Sequence, residues 1–191
     1  MAKLDELHGV PDGWRVSIYQ DADAESPRDM ESSSIHVLTV PSREYVDVDR
    51  DPGPWGDSWH DLLSRYGADQ AIGIVQRWAE SFGHFTYDHA PVYGARSVWY
   101  LTREDAERDG WTDPVAALEA HAREYQAWVE GEVYGWVIEA ERTWQRVDGP
   151  DAGQREERWE HVESVWGYYG PGIEYVESEA RAALASILAT Q

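Results

Sequence analysis

The sequence predicts an α+β fold, one domain in which a mainly antiparallel sheet packs against several helices. Three observations carry this. Helical and strand periodicities alternate irregularly, without the regular strand-helix-strand rhythm of a parallel sheet. Two strand patterns follow one another closely between 132 and 147, which fits a hairpin and leaves no room for a crossover. No internal repeat or linker divides the 191 residues, a length that supports one core.

Taken in order, residues 1–13 read as a polar lead-in ending at the Pro11-Asp12-Gly13 turn. Trp14, Val16 and Ile18 alternate with Arg15, Ser17 and Tyr19, the period of a strand. An acidic loop follows over 20–29, closed by Pro27. Strands are expected over 35–40 and 44–48, with Pro41-Ser42 as the turn between them. Residues 50–56 form a loop with Pro52 and Pro54, and Asp57 or Ser58 caps a short helix to Arg65. Ile72, Val75, Ala79 and Phe82 give one face of a helix over 68–82. Residues 84–94 look irregular, and 97–101 is a strand. Thr102-Arg103-Glu104-Asp105 resembles a capping box with Asp in place of Glu, opening a helix to Asp109.

Asp113-Pro114 starts the best-marked helix, because Asp accepts from free N–H groups and Pro suits the first turn. Val115, Leu118, Ala122, Tyr125 and Val129 line it, and Gly131 stops it. The strand over 132–139 has Tyr134, Trp136 and Ile138 on one face and Val133 and Val137 on the other, so it is expected inside a sheet. Residues 142–147 are expected to return beside it, 148–158 to be a polar and most mobile loop, and 163–170 to be a third strand. A helix over 173–188 closes the chain, lined by Ile173, Val176, Ala180, Leu184 and Ile187 or Leu188.

Charge and composition exclude several classes. Asp and Glu number 37 against 16 Lys and Arg, a formal charge of −21. The excess is spread evenly: residues 1–95 hold 17 acids and 7 bases, and the remainder 20 and 9. It therefore coats a folded surface, repels phosphates and disfavours direct nucleic-acid binding. Lys3 is the sole lysine, a bias shared by GC-rich coding sequences and by halophile surfaces. Without Cys there is no disulfide, thiolate nucleophile or cysteine metal site. No apolar run nears the roughly 18 residues of a membrane helix, and no signal-peptide pattern opens the chain. A soluble, cytoplasmic protein with no membrane partner is expected. Eleven Trp and eleven Tyr against two Phe suit a Trp-rich core, and equally an interface that uses their polar handles.

Four segments in order carry a family likeness: Gln20 through Arg28 (an acidic Q-D-x-D-x-E-S-P-R loop), Tyr87-Asp88-His89, Gly131 through Trp136 (G-E-V-Y-G-W), and Trp166 through Gly170 (W-G-Y-Y-G). With these, the chain resembles a family of uncharacterised proteins spread through bacteriophages and bacterial genomes. It departs from that pattern after Arg28, where Asp29-Met30-Glu31-Ser32-Ser33-Ser34 replaces an Asn-Leu-Gly turn and a later His. The resemblance implies a phage or actinobacterial origin and a small accessory role, in host cytoplasm if phage-encoded. It brings no activity and no catalytic residues.

Two clusters are candidates for metal chemistry. Asp21, Asp23 and Glu25 alternate, so in extended backbone three carboxylates share a face, and Ca²⁺, Mg²⁺ or Mn²⁺ would relieve their repulsion. This is no EF-hand: Ser26 stands where the glycine belongs and Ser32 where the closing Glu belongs. Arg28 folding back is the alternative way to neutralise the loop. His84, Asp88 and His89 offer two imidazoles and a carboxylate, at a spacing that suits neither one helix face nor one strand face. The candidate set is thus Asp21, Asp23 and Glu25, joined by Asp88 or His89, and ordinary solvated acids are the competing reading. His8, His36, His60, His121 and His161 have no partner by spacing. Acids this dense leave paired-carboxylate chemistry undecidable.

No P-loop, G-x-G-x-x-G, G-x-S-x-G or H-E-x-x-H is present. A non-enzymatic role is therefore expected, with no catalytic residue and no required cofactor. The leading reading is an accessory protein that binds a basic host or defence protein through an acidic, Trp-bearing face, with DNA mimicry as one form of it. A metal-dependent protein and a virion or structural component are the alternatives.

Overall fold

A computed structural model describes residues 2–30, 34–40, 52–90, 96–145, 147, 153–170 and 172–190. The expected strand over 44–48 and the turn at Pro41-Ser42 lie outside these residues. The class is the expected α+β with antiparallel sheets, but the strands form two sheets where the sequence led us to expect one. The chain divides into two compact units, residues 1–25 with 130–191, and residues 26–129.

The first unit is a four-stranded sheet in the order β1-β2-β6-β7. Its strands are β1 (Ala2–Glu6), β2 (Trp14–Gln20), β6 (Val133–Gln145) and β7 (Arg155–Tyr169), all antiparallel to their neighbours. Helix α6 (Ile173–Ala189) packs Val176, Ala180 and Leu184 onto Val16, Ile18, Trp136 and Ile138. The expected interior strand is interior, because β6 pairs on both sides.

Three expectations are corrected in this unit. The lead-in contains β1, whose five residues are all exposed; backbone pairing to β2 holds it, and Leu7 anchors its end in the core. The return expected over 142–147 does not occur over 142–145. No Gly, Pro or Asn interrupts Glu139 to Arg142, so β6 runs on to Gln145 and β7 is the returning strand. Residues 155–158, placed in the mobile loop by sequence, are the start of β7, where Arg158 pairs with Glu156 on the same face.

The second unit centres on β5 (Ser97–Leu101), flanked by β3 (His36–Thr39) and β4 (Phe85–His89). All of β5 is buried, with helices on both faces. Val98 and Tyr100 meet Trp59, Ala71, Ile72 and Val75 from α2 (Gly56–Tyr66) and α3 (Ala68–Phe82). Trp99 and Leu101 meet Ala106, Leu118 and Ala122 from α4 (Arg103–Asp109) and α5 (Pro114–Glu130). A four-residue turn of helix, α1 (Pro27–Met30), and a 3₁₀ turn at Gly53–Trp55 lie before α2.

Two caps act as the sequence implies, whereas Asp57 and Ser58, expected to cap α2, lie inside it: the helix opens at Gly56 behind Trp55, with no side-chain capping bond. Thr102 Oγ1 accepts from the Asp105 N–H, and Asp113 Oδ1 from the Ala116 N–H at 3.1 Å. The segment over 84–94, read as irregular, contains β4, whose Phe85 and Tyr87 pack toward Trp99 and Leu101. Phe82 and Val115, expected in the core, are 60% and 46% exposed; Phe82 is the last residue of α3 and Val115 the second of α5.

Candidate functional site

The acidic loop does not extend. Asp21 donates its N–H to the Val133 carbonyl at 2.8 Å, and its Oδ1 accepts from the Asp23 N–H at 3.3 Å, an Asx-type turn. The Glu25 carbonyl accepts from the Tyr169 hydroxyl at 2.9 Å. The loop is thus tied to β6 and β7 by its backbone, while the side chains of Asp23 and Glu25 face solvent. The extended backbone on which the shared face of three alternating carboxylates depends is broken by the turn at Ala22-Asp23.

Asp88 is engaged by a cation of the chain itself. Arg96 Nε and Nη2 donate to its two carboxylate oxygens at 3.0 and 2.7 Å, a bidentate pair, and Arg96 Nη1 reaches Asp69 at 2.5 Å. These hydrogen bonds, Asp88 first and then Asp69, hold the guanidinium pKa above its ordinary value. His89 is the next residue on β4, so its side chain leaves the opposite face of the strand, and the two cannot serve one ion while the strand stays regular. The His89 ring lies beside Tyr87, with centroids 6.1 Å apart.

His84 is a structural histidine. Its Nδ1 accepts from the Arg103 N–H at 3.0 Å, and its ring packs against Trp78 and Phe82 at 4.7 and 5.9 Å. Nδ1 also lies 3.8 Å from Glu104, but it is already an acceptor, so we read this contact as proximity. Among the described residues, no three His, Asp or Glu side chains converge as a metal site.

The feature that sequence reasoning missed is an arm. Pairing of β2 with β6 ends at Ala140, but β6 and β7 remain paired from Glu141-Trp159 out to Gln145-Arg155. Every residue of this two-stranded extension is exposed. Register places Arg142, Trp144, Glu156, Arg158 and Glu160 on one face, and Glu141, Glu157, Trp159 and His161 on the other. Trp144 is 54% exposed and Trp159 39%.

Trp159 is held in place: the Arg15 guanidinium lies 4.6 Å from its ring centroid and itself pairs with Glu139 at 2.7 Å. Trp144 stands across from Glu156 and lines a 330 Å³ open cavity with Gln145, Gln154, Arg155, Glu156 and Arg158. The signal for the arm was present in the sequence as an unbroken strand pattern with alternating charge. A two-stranded ribbon is marginal in water, and it contributes little to a core when both faces are wet. The arrangement can present flat aromatic surface and paired charges to another molecule.

No family model, no curated protein and no solved structure matches this chain. No helix among the described residues is long and apolar enough to cross a membrane.

Proposed function

We propose that this is a non-enzymatic binding protein. Its net negative surface steers it to a basic protein partner, and its β6–β7 arm supplies the aromatic contact. The observation that carries the reading is the exposure of Trp144 and Trp159 on a ribbon that is wet on both faces. Exposed indoles set among charges are the side chains that most often dominate a protein interface. The formal charge of −21 favours a basic partner and speeds the encounter at low salt. The family resemblance makes a host or defence protein the expected class of partner.

The arm itself carries Arg142, Arg155 and Arg158 beside Glu141, Glu156 and Glu157. Such mixed charge fits a protein surface of complementary pattern better than imitation of a uniform phosphate backbone. DNA mimicry, if used, belongs to the acidic surface outside the arm.

The test is capture on the immobilised chain from nuclease-treated bacterial lysate, with salt-gradient elution. A single basic protein leaving as salt rises supports the reading. An empty eluate, or retention that ignores salt, contradicts it.

A further inference from the structure

We propose that β7 is a self-association edge, pairing antiparallel with β7 of a second copy about a two-fold axis at Trp159. Among the described residues, no strand pairs with the outer side of β7, the last strand of its sheet, over its 15-residue length. All of its residues from Arg155 to Glu163 are exposed. An open edge this long is a template for another strand; natural sheets usually blunt theirs with proline, shortness, bulges or charged side chains, and the charges on β7 are of both signs, so a strand of matching pattern can pair with them. Here the stretch 155–161 is regular; the register irregularity comes only after His161.

The charge sequence selects both the occupant and the register. In an isologous antiparallel pair, directly opposed residues lie on the same face, so the axis falls on a residue and not between two. An axis on Arg155, Glu156, Glu157, Arg158 or Glu160 would set a charge against its own copy, which is destabilising. An axis on His161 would carry the pairing across the irregularity and oppose no unlike charges. An axis on Trp159 sets Arg158 opposite the second copy's Glu160, twice by symmetry. It also sets Glu157 opposite His161 twice, and indole against indole at the centre. Among axes within the regular stretch 155–161, the strand is complementary to itself in this one register. A second copy therefore fits the edge without any partner of matching design.

Two experiments on the full chain test this. In sedimentation equilibrium, the wild type should dimerise reversibly. Arg158→Glu and Glu160→Arg should each raise the dissociation constant about tenfold or more, because each sets like charges opposite twice. The double swap Arg158→Glu/Glu160→Arg should return it to within a few-fold of wild type. Circular dichroism melts confirm that each variant is folded.

The second experiment fixes the axis. The chain has no cysteine, and opposed residues of an antiparallel pair lie within disulfide reach. Trp159→Cys should therefore oxidise to a covalent dimer, whereas Glu156→Cys should not. A monomeric wild type at every concentration overturns the proposal and leaves the edge to a strand of another protein. So does a dimer indifferent to both charge reversals, or a folded Trp159→Cys that stays monomeric on oxidation.

Discussion

The Trp166 indole of β7 lies so close to Gly135 in β6 that a methyl group at residue 135 would collide with it and with the Val165 carbonyl. The contact falls where the β6–β7 register shifts, between Tyr134 and Gly135. Glycine is needed there for space, and its backbone conformation is unremarkable. This gives a physical reason for the glycine in the Gly131 to Trp136 motif and for the Trp that opens the Trp166 to Gly170 motif: each fits the other.

Gly135→Ala should therefore lower stability by about 2 kcal/mol, the cost of forcing an extra methyl into a filled site. Chemical denaturation checks this. A paired Gly135→Ala/Trp166→Ala variant should recover part of the loss from the glycine change, because the ring that the methyl meets is gone.

Asp88→Asn tests how the Tyr87-Asp88-His89 segment is used. If its carboxylate serves Arg96, the substitution should cost about 1 kcal/mol, typical of a half-exposed bidentate pair. The loss should be equal in EDTA and in millimolar Ca²⁺, Mg²⁺ or Mn²⁺. Thermal melts in the four buffers measure it; a loss seen only with metal present would instead make Asp88 a ligand.

Much of the fold was legible because burial leaves a period. Helices α3, α5 and α6 and strand β2 each bury most of the face that their spacing marks. What was not legible had no side-chain burial to announce it. Strand β1 buries none of its own side chains and is held by backbone pairing and by Leu7 just past its end, and β4 carries its polar Asp88 because Arg96 waits beside it. The arm is hidden for a related reason. Local spacing marks 142–147 as extended and suggests 132–139 as the neighbour, whereas pairing is a long-range property that local spacing does not encode. The candidate metal loop shows the same limit: alternation of Asp21, Asp23 and Glu25 implies a shared face only if the backbone is extended, and the turn at Asp21 removes that premise.

Tyr134 gives the alkaline side of the stability profile. Burial, and secondarily the nearby charge of Glu132, raises its phenol pKa above the ordinary 10.0. The folded chain then holds a proton that the unfolded chain has lost, so the contribution of Tyr134 to stability is full below about pH 10 and is lost as pH rises toward the folded value. Tyr134→Phe should flatten the decline in melting temperature above pH 10 while leaving the slope near neutrality unchanged. An identical alkaline slope in both proteins would show that Tyr134 does not contribute.

The central claim is that the arm makes the partner contact, and two exposed tryptophans separate it from general acidity. Trp144 stands on the arm, and Trp111, 38% exposed, lies between α4 and α5. Both Trp→Ala variants should melt close to wild type, since neither ring fills a core. The decisive measurement is salt-gradient elution of captured protein from columns of wild type, Trp144→Ala and Trp111→Ala prepared side by side. The account predicts that the partner retained by wild type and Trp111→Ala is lost, or leaves at much lower salt, from Trp144→Ala. Equal retention on all three columns would contradict it and assign binding to charge alone.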